Sequence, residues 1–505
     1  MKKRILAMLL AWLLLAPAMA GCGSTENKKP SDDSETVGAE NLPVESDETE
    51  PVETAPPMGV PAGKTFDGET ITIWYTTTSV SVAETYLDLA GELTGDAIDD
   101  GMYERNLKVQ DTLDVVLDYR DNVSVKSDGT GAALEKLVRA GDNTYDLFSL
   151  VQWNAAKYSY QNMFYNMKNA PYLSFDKPWW NYGYMKEMTI GEDKIYCLVG
   201  DVSLDSTRCL SCVYYNKAMY DDFYQNADGL YDVVLEGAWT LDRLMKIAEE
   251  VYEDTNANGQ KDFDDRLGYA INNYNNLDAF LYGGGRRCTT RDAGDIPVIS
   301  ILTEQNSDAM AKVLKLYNDC PGGYGYGSQY EDDVKAREKF VAGESMFLFG
   351  FLYTAENMRE MEDDYGILPT PKAIDSDLTY GTIVHDIIEV MALPVNAVKV
   401  EPTAAVLEAL AYYGYTDFLP VYYETVLKSK YARDAKSAQM IELTRESLVT
   451  DLAYVYQDAF NGLGYAPRSM VQDKRESLTV CYEKKIKAAE KNMQKLVEQF
   501  VSIEE

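Results

Sequence analysis

Between Asp254 and Asp265, oxygen-bearing side chains fall at a set spacing: Asp254, Asn256, Asn258, Asp262 and Asp265 stand at positions 1, 3, 5, 9 and 12, with Gly259 at 6 and Gln260 at 7. This is the pattern of a loop that wraps a hard divalent cation. The glycine permits a sharp turn, position 7 offers its backbone carbonyl, and Ca²⁺ takes six to eight oxygens in all. Position 12 departs from the pattern, since Asp265 is one methylene shorter than the glutamate that grips the ion with both oxygens. The next residues, Leu267 to Ile271, have strand composition instead of opening a second helix. A fixed structural ion is therefore expected here, not a sensor, and the plainer alternative is a metal-free acidic turn.

Other chemistries have less material. The chain contains one histidine, His385, which excludes a two-histidine zinc protease motif, and it has no G-x-S-x-G elbow. A Ser-His-Asp triad would have to use His385, which falls in an expected strand from Thr382 to Val390 with Asp386 beside it. Beyond Cys22 six cysteines remain, and only Cys209 and Cys212 have C-x-x-C spacing, with no second pair to complete a zinc site. A glycoside hydrolase needs only two carboxylates at the right separation. The 82 acidic residues contain such pairs in abundance and single none out.

Any site must be carried by the elements around it, and the two ends of the chain behave differently. Lys2, Lys3 and Arg4 precede an apolar run from Ile5 to Leu15 and small residues up to Gly21, the layout of an export signal over residues 1–21. Met19-Ala20-Gly21-Cys22 resembles the bacterial lipobox, departing from it at Met19. It implies that Cys22 becomes a lipidated first residue; cleavage after Ala18-Met19-Ala20 with free secretion is the alternative. Residues 22–65 are then an acidic tether with almost no aliphatics to bury. The remaining stretch of roughly 440 residues exceeds the length that one core usually organises, so two lobes are expected. The net charge of −35 opposes nucleic-acid binding. Strand and helix patterns alternate from Ile71 to Leu150, which indicates a mainly parallel sheet covered on both faces, and in such folds ligands bind at the carboxyl ends of the strands. Trp153 and Asn154, just past Leu150, are in that position.

Five segments in order then resemble family 1 extracellular solute-binding proteins, the sugar-binding receptors of ABC importers. They are Val213-Tyr214-Tyr215-Asn216-Lys217, Trp239-Thr240-Leu241-Asp242, the stretch from Phe340 to Phe347, the stretch from Tyr365 to Lys372, and Leu393-Pro394-Val395-Asn396 with the Ala404 to Ala411 helix. The resemblance implies an α/β fold of the two-lobed periplasmic-binding-protein type II, each lobe a mainly parallel sheet flanked by helices, with crossing strands between them. Residues 66–205 with about 385–430 would form the first lobe, and about 206–384 with 431–505 the second. It implies no catalysis. Instead, a monomeric receptor on the outer face of the cytoplasmic membrane would take a mono- or oligosaccharide in the cleft and pass it to a permease. By position the ligand would meet Trp74, Trp153 and Asn154 from the first lobe, Asn273, Tyr274, Phe351 and Tyr353 from the second, and Asp386 near the crossing strands. Trp180, in a Pro-flanked loop, would face either the cleft or the core. Some oligosaccharide-binding relatives carry a loop like Asp254 to Asp265 as a structural calcium site. A surface hydrolase and a calcium-dependent surface binding protein are the competing readings.

Overall fold

The structure, a computed structural model, describes residues 55–75, 89–122, 129–327, 331–427 and 435–503. The chain divides into two units, Met1–Thr54 and Ala55–Glu505. The first unit, with Cys22, lies outside the described residues. The last part of the expected tether is packed: Val60 is buried, and the Gly59 amide donates to Glu408 Oε1 at 2.9 Å.

Among the described residues there are eleven strands, in chain order β1 (Glu69–Tyr75), β2 (Val115–Asp121), β3 (Leu147–Val151), β4 (Ser211–Asn216), β5 (Leu267–Asn272), β6 (Thr289–Arg291), β7 (Pro297–Ile299), β8 (Gly323–Tyr326), β9 (Ser345–Phe351), β10 (Tyr365–Pro369) and β11 (Glu389–Ala392). The first lobe is built on a sheet of order β11-β3-β1-β2, and the second on β10-β4-β9-β5-β8, while β6 and β7 form a separate hairpin. In the first sheet β1 runs parallel to both neighbours, with Ile71 beside Leu117 and Ile73 beside Leu147, and β11 is antiparallel to β3. The second sheet corrects the expectation of a mainly parallel arrangement. β5 is parallel to β8 and β9, but β4 is antiparallel to β9 and β10.

Local chemistry explains the motifs that run through the second lobe. Asn216 ends β4 and caps the next helix by accepting the Met219 amide at 2.8 Å, so a strand passes directly into a helix at Asn216-Lys217. Thr240 caps helix Leu241–Val251 through the Arg243 amide, and Leu241, Leu244, Met245, Ala248 and Val251 bury one stripe. Trp239 seats that helix on the sheet, its ring 5.7 Å from Phe347 and its Nε1 donating to Pro369 O at 2.9 Å. Gly343, at φ +73°, supplies the left-handed turn into β9.

Three segments of the described chain cross between the lobes. Residues 382–385, read as the start of a strand, instead cross beside residues 209–211: Ser211 N donates to Ile383 O and His385 N to Cys209 O, both at 2.9 Å. The third segment pairs through Val449 N and Thr382 O at 2.7 Å. At this junction Arg208, 1% exposed, grips Glu356 with two bonds of 2.9 and 2.8 Å. Tyr422 donates to the same carboxylate at 3.2 Å.

Candidate functional site

β3 ends at Val151, and its chain turns at once into helix Gln152–Ser159, which carries Trp153 and Asn154 off the carboxyl edge of the first sheet. Trp153 is half-buried and Asn154 buried. Both line a cavity of about 240 Å³ whose far wall is Val455, Tyr456, Gln457 and Asp458. Helix Leu452–Val455 leads from this cavity to the lobe junction, where the Tyr454 hydroxyl donates to Val384 O at 3.3 Å and its ring stands edge-on to Tyr465 at 5.2 Å.

At the junction the second lobe contributes its own edge. Asn273 and Tyr274 come directly after β5; Phe351 is the last residue of β9, and Tyr353 stacks on it at 5.6 Å with 14° between the rings. Phe351 also packs 4.8 Å from His385, whose Nε2 is bonded to the Asn275 side chain. Asp386 is the centre of a polar cluster. It lies 2.9 Å from His385 Nδ1, accepts from Tyr465 at 2.8 Å and from Arg468 at 3.2 Å, and Arg468 also pairs with the buried Asp278. The guanidinium lies 3.8 Å from the Tyr465 ring centre and 4.8 Å from that of Tyr274. Burial opposes the charge of Asp386, but the His385 bond and Arg468 hold it well below the usual carboxylate range. Asp278, more deeply enclosed, is pushed by burial up to about 6 despite Arg468.

Arg468 answers Asp386 and one oxygen of Asp278, and the second Asp278 oxygen is enclosed without a partner. Gln152 Nε2, Asn273 Oδ1 and Asn275 Oδ1 are enclosed and find no hydrogen-bond partner among the protein's own groups. Unpaired amide atoms of this kind are uncommon in a folded protein and suit a polar ligand. Phe351 and Tyr353 stand with Asn275 around His385, a set that can stack an apolar face and hydrogen-bond hydroxyls, while Trp153 lines the separate cavity beside Tyr160 and Tyr456.

Two other expected residues make their contacts elsewhere. Trp74 is 5% exposed, edge-on to Tyr145 at 5.0 Å within the packing of the first sheet. Trp180 is 4% exposed and its Nε1 donates to the buried Glu408 at 2.8 Å. It borders a different, open groove of about 620 Å³, shared with Phe175, Tyr182, Tyr415 and Arg445. No motif in the sequence marks Gln152, Asn275, Tyr465 or Arg468, which the structure brings to the lobe junction. Arg468 sits in the short helix Ala466–Gln472, 190 residues from Asp278, and no local pattern marks it. Residues 76–88 and 123–128, which come after β1 and β2, lie outside the described residues.

The loop from Asp254 to Asp265 folds around its own amides. Asp254 accepts from Asn258 N and Gly259 N at 3.2 and 2.8 Å, Asn258 Oδ1 accepts from Gln260 N at 2.7 Å, and Asp262 accepts from the Asn258 and Asn256 side chains. Gly259 has φ +75°, the sharp turn the spacing calls for. Asp265 is fully buried; one oxygen accepts from Tyr252 at 2.9 Å and the other has no partner. Among the described residues no three acidic, histidine or cysteine side chains are gathered tightly enough to hold a metal ion.

Solved sugar-binding proteins share the architecture. The cyclo/maltodextrin-binding protein complexed with maltotetraose superimposes with a TM-score of 0.54 over 87% of this chain and 99% of its own, at 11% identity. The maltose-binding periplasmic protein MalE from Listeria monocytogenes, in complex with maltose, gives 0.51 over 87% of this chain and 100% of its own, at 13% identity. At such identities the likeness establishes the two-lobed type II fold. No protein-family model and no curated protein sequence matches the chain.

Proposed function

We propose that this chain is a solute receptor of the family 1 type, which captures a mono- or oligosaccharide between its lobes and delivers it to an ABC permease without transforming it. The observation that supports the reading is the two-lobed type II fold, with the stacked rings of Phe351 and Tyr353 and the enclosed, unpartnered amide oxygen of Asn275 gathered around His385 where the chain crosses between the lobes. The cavity beside Trp153 supplies room for at least part of a sugar ring. Calorimetry of the purified chain against a panel of mono- and oligosaccharides, with maltose and maltotetraose included and product analysis alongside, tests it. Binding heat without new products is the expected result. Release of shorter sugars would replace the receptor with a glycoside hydrolase, and silence across the panel would remove saccharides as the ligand.

The anchor belongs to the same reading. No helix among the described residues is long and apolar enough to cross a membrane, and the lipid on Cys22 would hold the receptor beside its permease. Cys22→Ala should move the protein from the membrane fraction to the medium; a variant that stays membrane-bound refutes the lipid.

Calcium would be structural. Asp254, Asn256, Asn258, Asp262 and Asp265, with the Gln260 carbonyl, would supply an all-oxygen set of the hardness Ca²⁺ requires, and one oxygen of Asp265 has no partner in the protein. Binding would redirect carboxylates that now accept loop amides. Equilibrium dialysis is expected to find one Ca²⁺ per chain, with a lower melting temperature in chelator. No uptake and no chelator effect would leave the loop a metal-free turn.

A further inference from the structure

The C-terminal helix Leu478–Val501 starts in the second lobe, where it packs on helices Glu304–Asn318 and Ala466–Gln472 and Tyr482 donates to Gly462 O. At 24 residues it is about 36 Å long, enough to cross to the other lobe. Its far end is held by Tyr160, Tyr196 and Lys194 of the first lobe, with Tyr456 of the second alongside. Phe500 is fully buried, stacked on Tyr196 at 6.1 Å and flanked by Tyr160 at 6.3 Å and Tyr456 at 6.0 Å. Lys194, 8% exposed, donates to Phe500 O at 2.6 Å and to Ile503 O at 3.2 Å, satisfying carbonyls that a helix end leaves open.

Two of the rings that enclose Phe500 are also walls of the Trp153 cavity: Tyr160 on the first-lobe side and Tyr456 on the other. Tyr456 donates to Met188 O at 2.6 Å, and the same first-lobe turn is held by Arg291 of the β6–β7 hairpin through Lys186 O and Thr189 O at 2.9 and 2.8 Å. The lobes are thus tied on the cavity side as well as at the crossing segments. A tie away from the crossing segments limits rotation about them, because any opening must pull Phe500 out of its aromatic seat.

We infer that the end of the C-terminal helix is a strap between the lobes, and that Phe500 and Lys194 are positioning residues which set the separation of the cavity walls at Trp153. The inference goes beyond the receptor reading and holds whichever ligand the cavity takes.

Spin labels on Lys136→Cys in the first lobe and Asp308→Cys in the second test it in the full chain carrying Cys22→Ala; the six described native cysteines are buried. Phe500→Ala and Lys194→Met are expected to lengthen and broaden the interlobe distance distribution with the helical circular dichroism signal unchanged. Phe500→Leu, which refills the seat, should stay close to the parent. A parent-like distribution in both Phe500→Ala and Lys194→Met overturns the strap. Should Phe500→Ala not fold, Lys194→Met alone decides. No ligand enters the measurement, so this result and the saccharide panel can fail independently.

Discussion

Glu356→Ala is expected to lower the stability of the folded part by about 3–5 kcal/mol, the usual cost of leaving the partner of a buried ion pair unpaired. Arg208 has no access to water that could replace the carboxylate: it is 1% exposed, held by two bonds to Glu356, and its next acidic neighbour, Asp205, is 3.9 Å away. The same substitution strips the Tyr422 hydroxyl of its acceptor. Urea denaturation followed by far-ultraviolet circular dichroism measures the effect. The double variant Arg208→Met with Glu356→Leu should regain most of the loss, since apolar residues of similar volume often replace a buried pair at little cost. A loss under about 1 kcal/mol for Glu356→Ala would mean that the guanidinium finds solvent and that the junction is looser than its geometry.

Trp153→Ala should weaken saccharide binding by roughly tenfold or more, on the order of 1–3 kcal/mol, taking burial of a large apolar side chain as the guide. Trp153 is half-buried in the free protein, so its truncation removes contact surface without emptying the core. Trp180→Phe is the matching control. It breaks the bond to Glu408, within a group that also accepts from Gly59 and Ser174, and is expected to lower the melting temperature while leaving affinity intact. Calorimetry with a saccharide that binds the parent separates the two. Unchanged affinity in both Trp153→Ala and Tyr353→Ala would displace the site from the strand edges described above.

Trp153 and Trp74 show how far local pattern reaches. Both obey the rule that ligands gather at the carboxyl ends of strands, and both are tryptophans near such an end. Trp74 is still inside β1, with its ring against Tyr145, whereas Trp153 is the second residue of the helix beyond β3, where the chain has left the sheet. Whether the strand ends before or after the tryptophan decides its surroundings, and composition does not reveal that boundary.

Features that depend on neighbours along the chain are legible before the fold is known. Local composition placed β1, β2, β3 and β5, and Gly259 with its flanking oxygens set a turn, because each rests on contacts a few residues apart. The ordered motifs also pointed to the two-lobed type II fold. Packing of the whole chain is needed to see that β4 runs antiparallel to β9, that the chain returns from the second lobe to lay β11 beside β3, and that Arg468 reaches Asp278 and Asp386. The same packing shows that Trp180 serves Glu408 and that Phe500 closes an aromatic seat beside Trp153. Those outcomes join residues tens to hundreds of positions apart. They depend on which buried polar groups must find partners and which rings fill the remaining space, and neither is settled until the whole chain is packed.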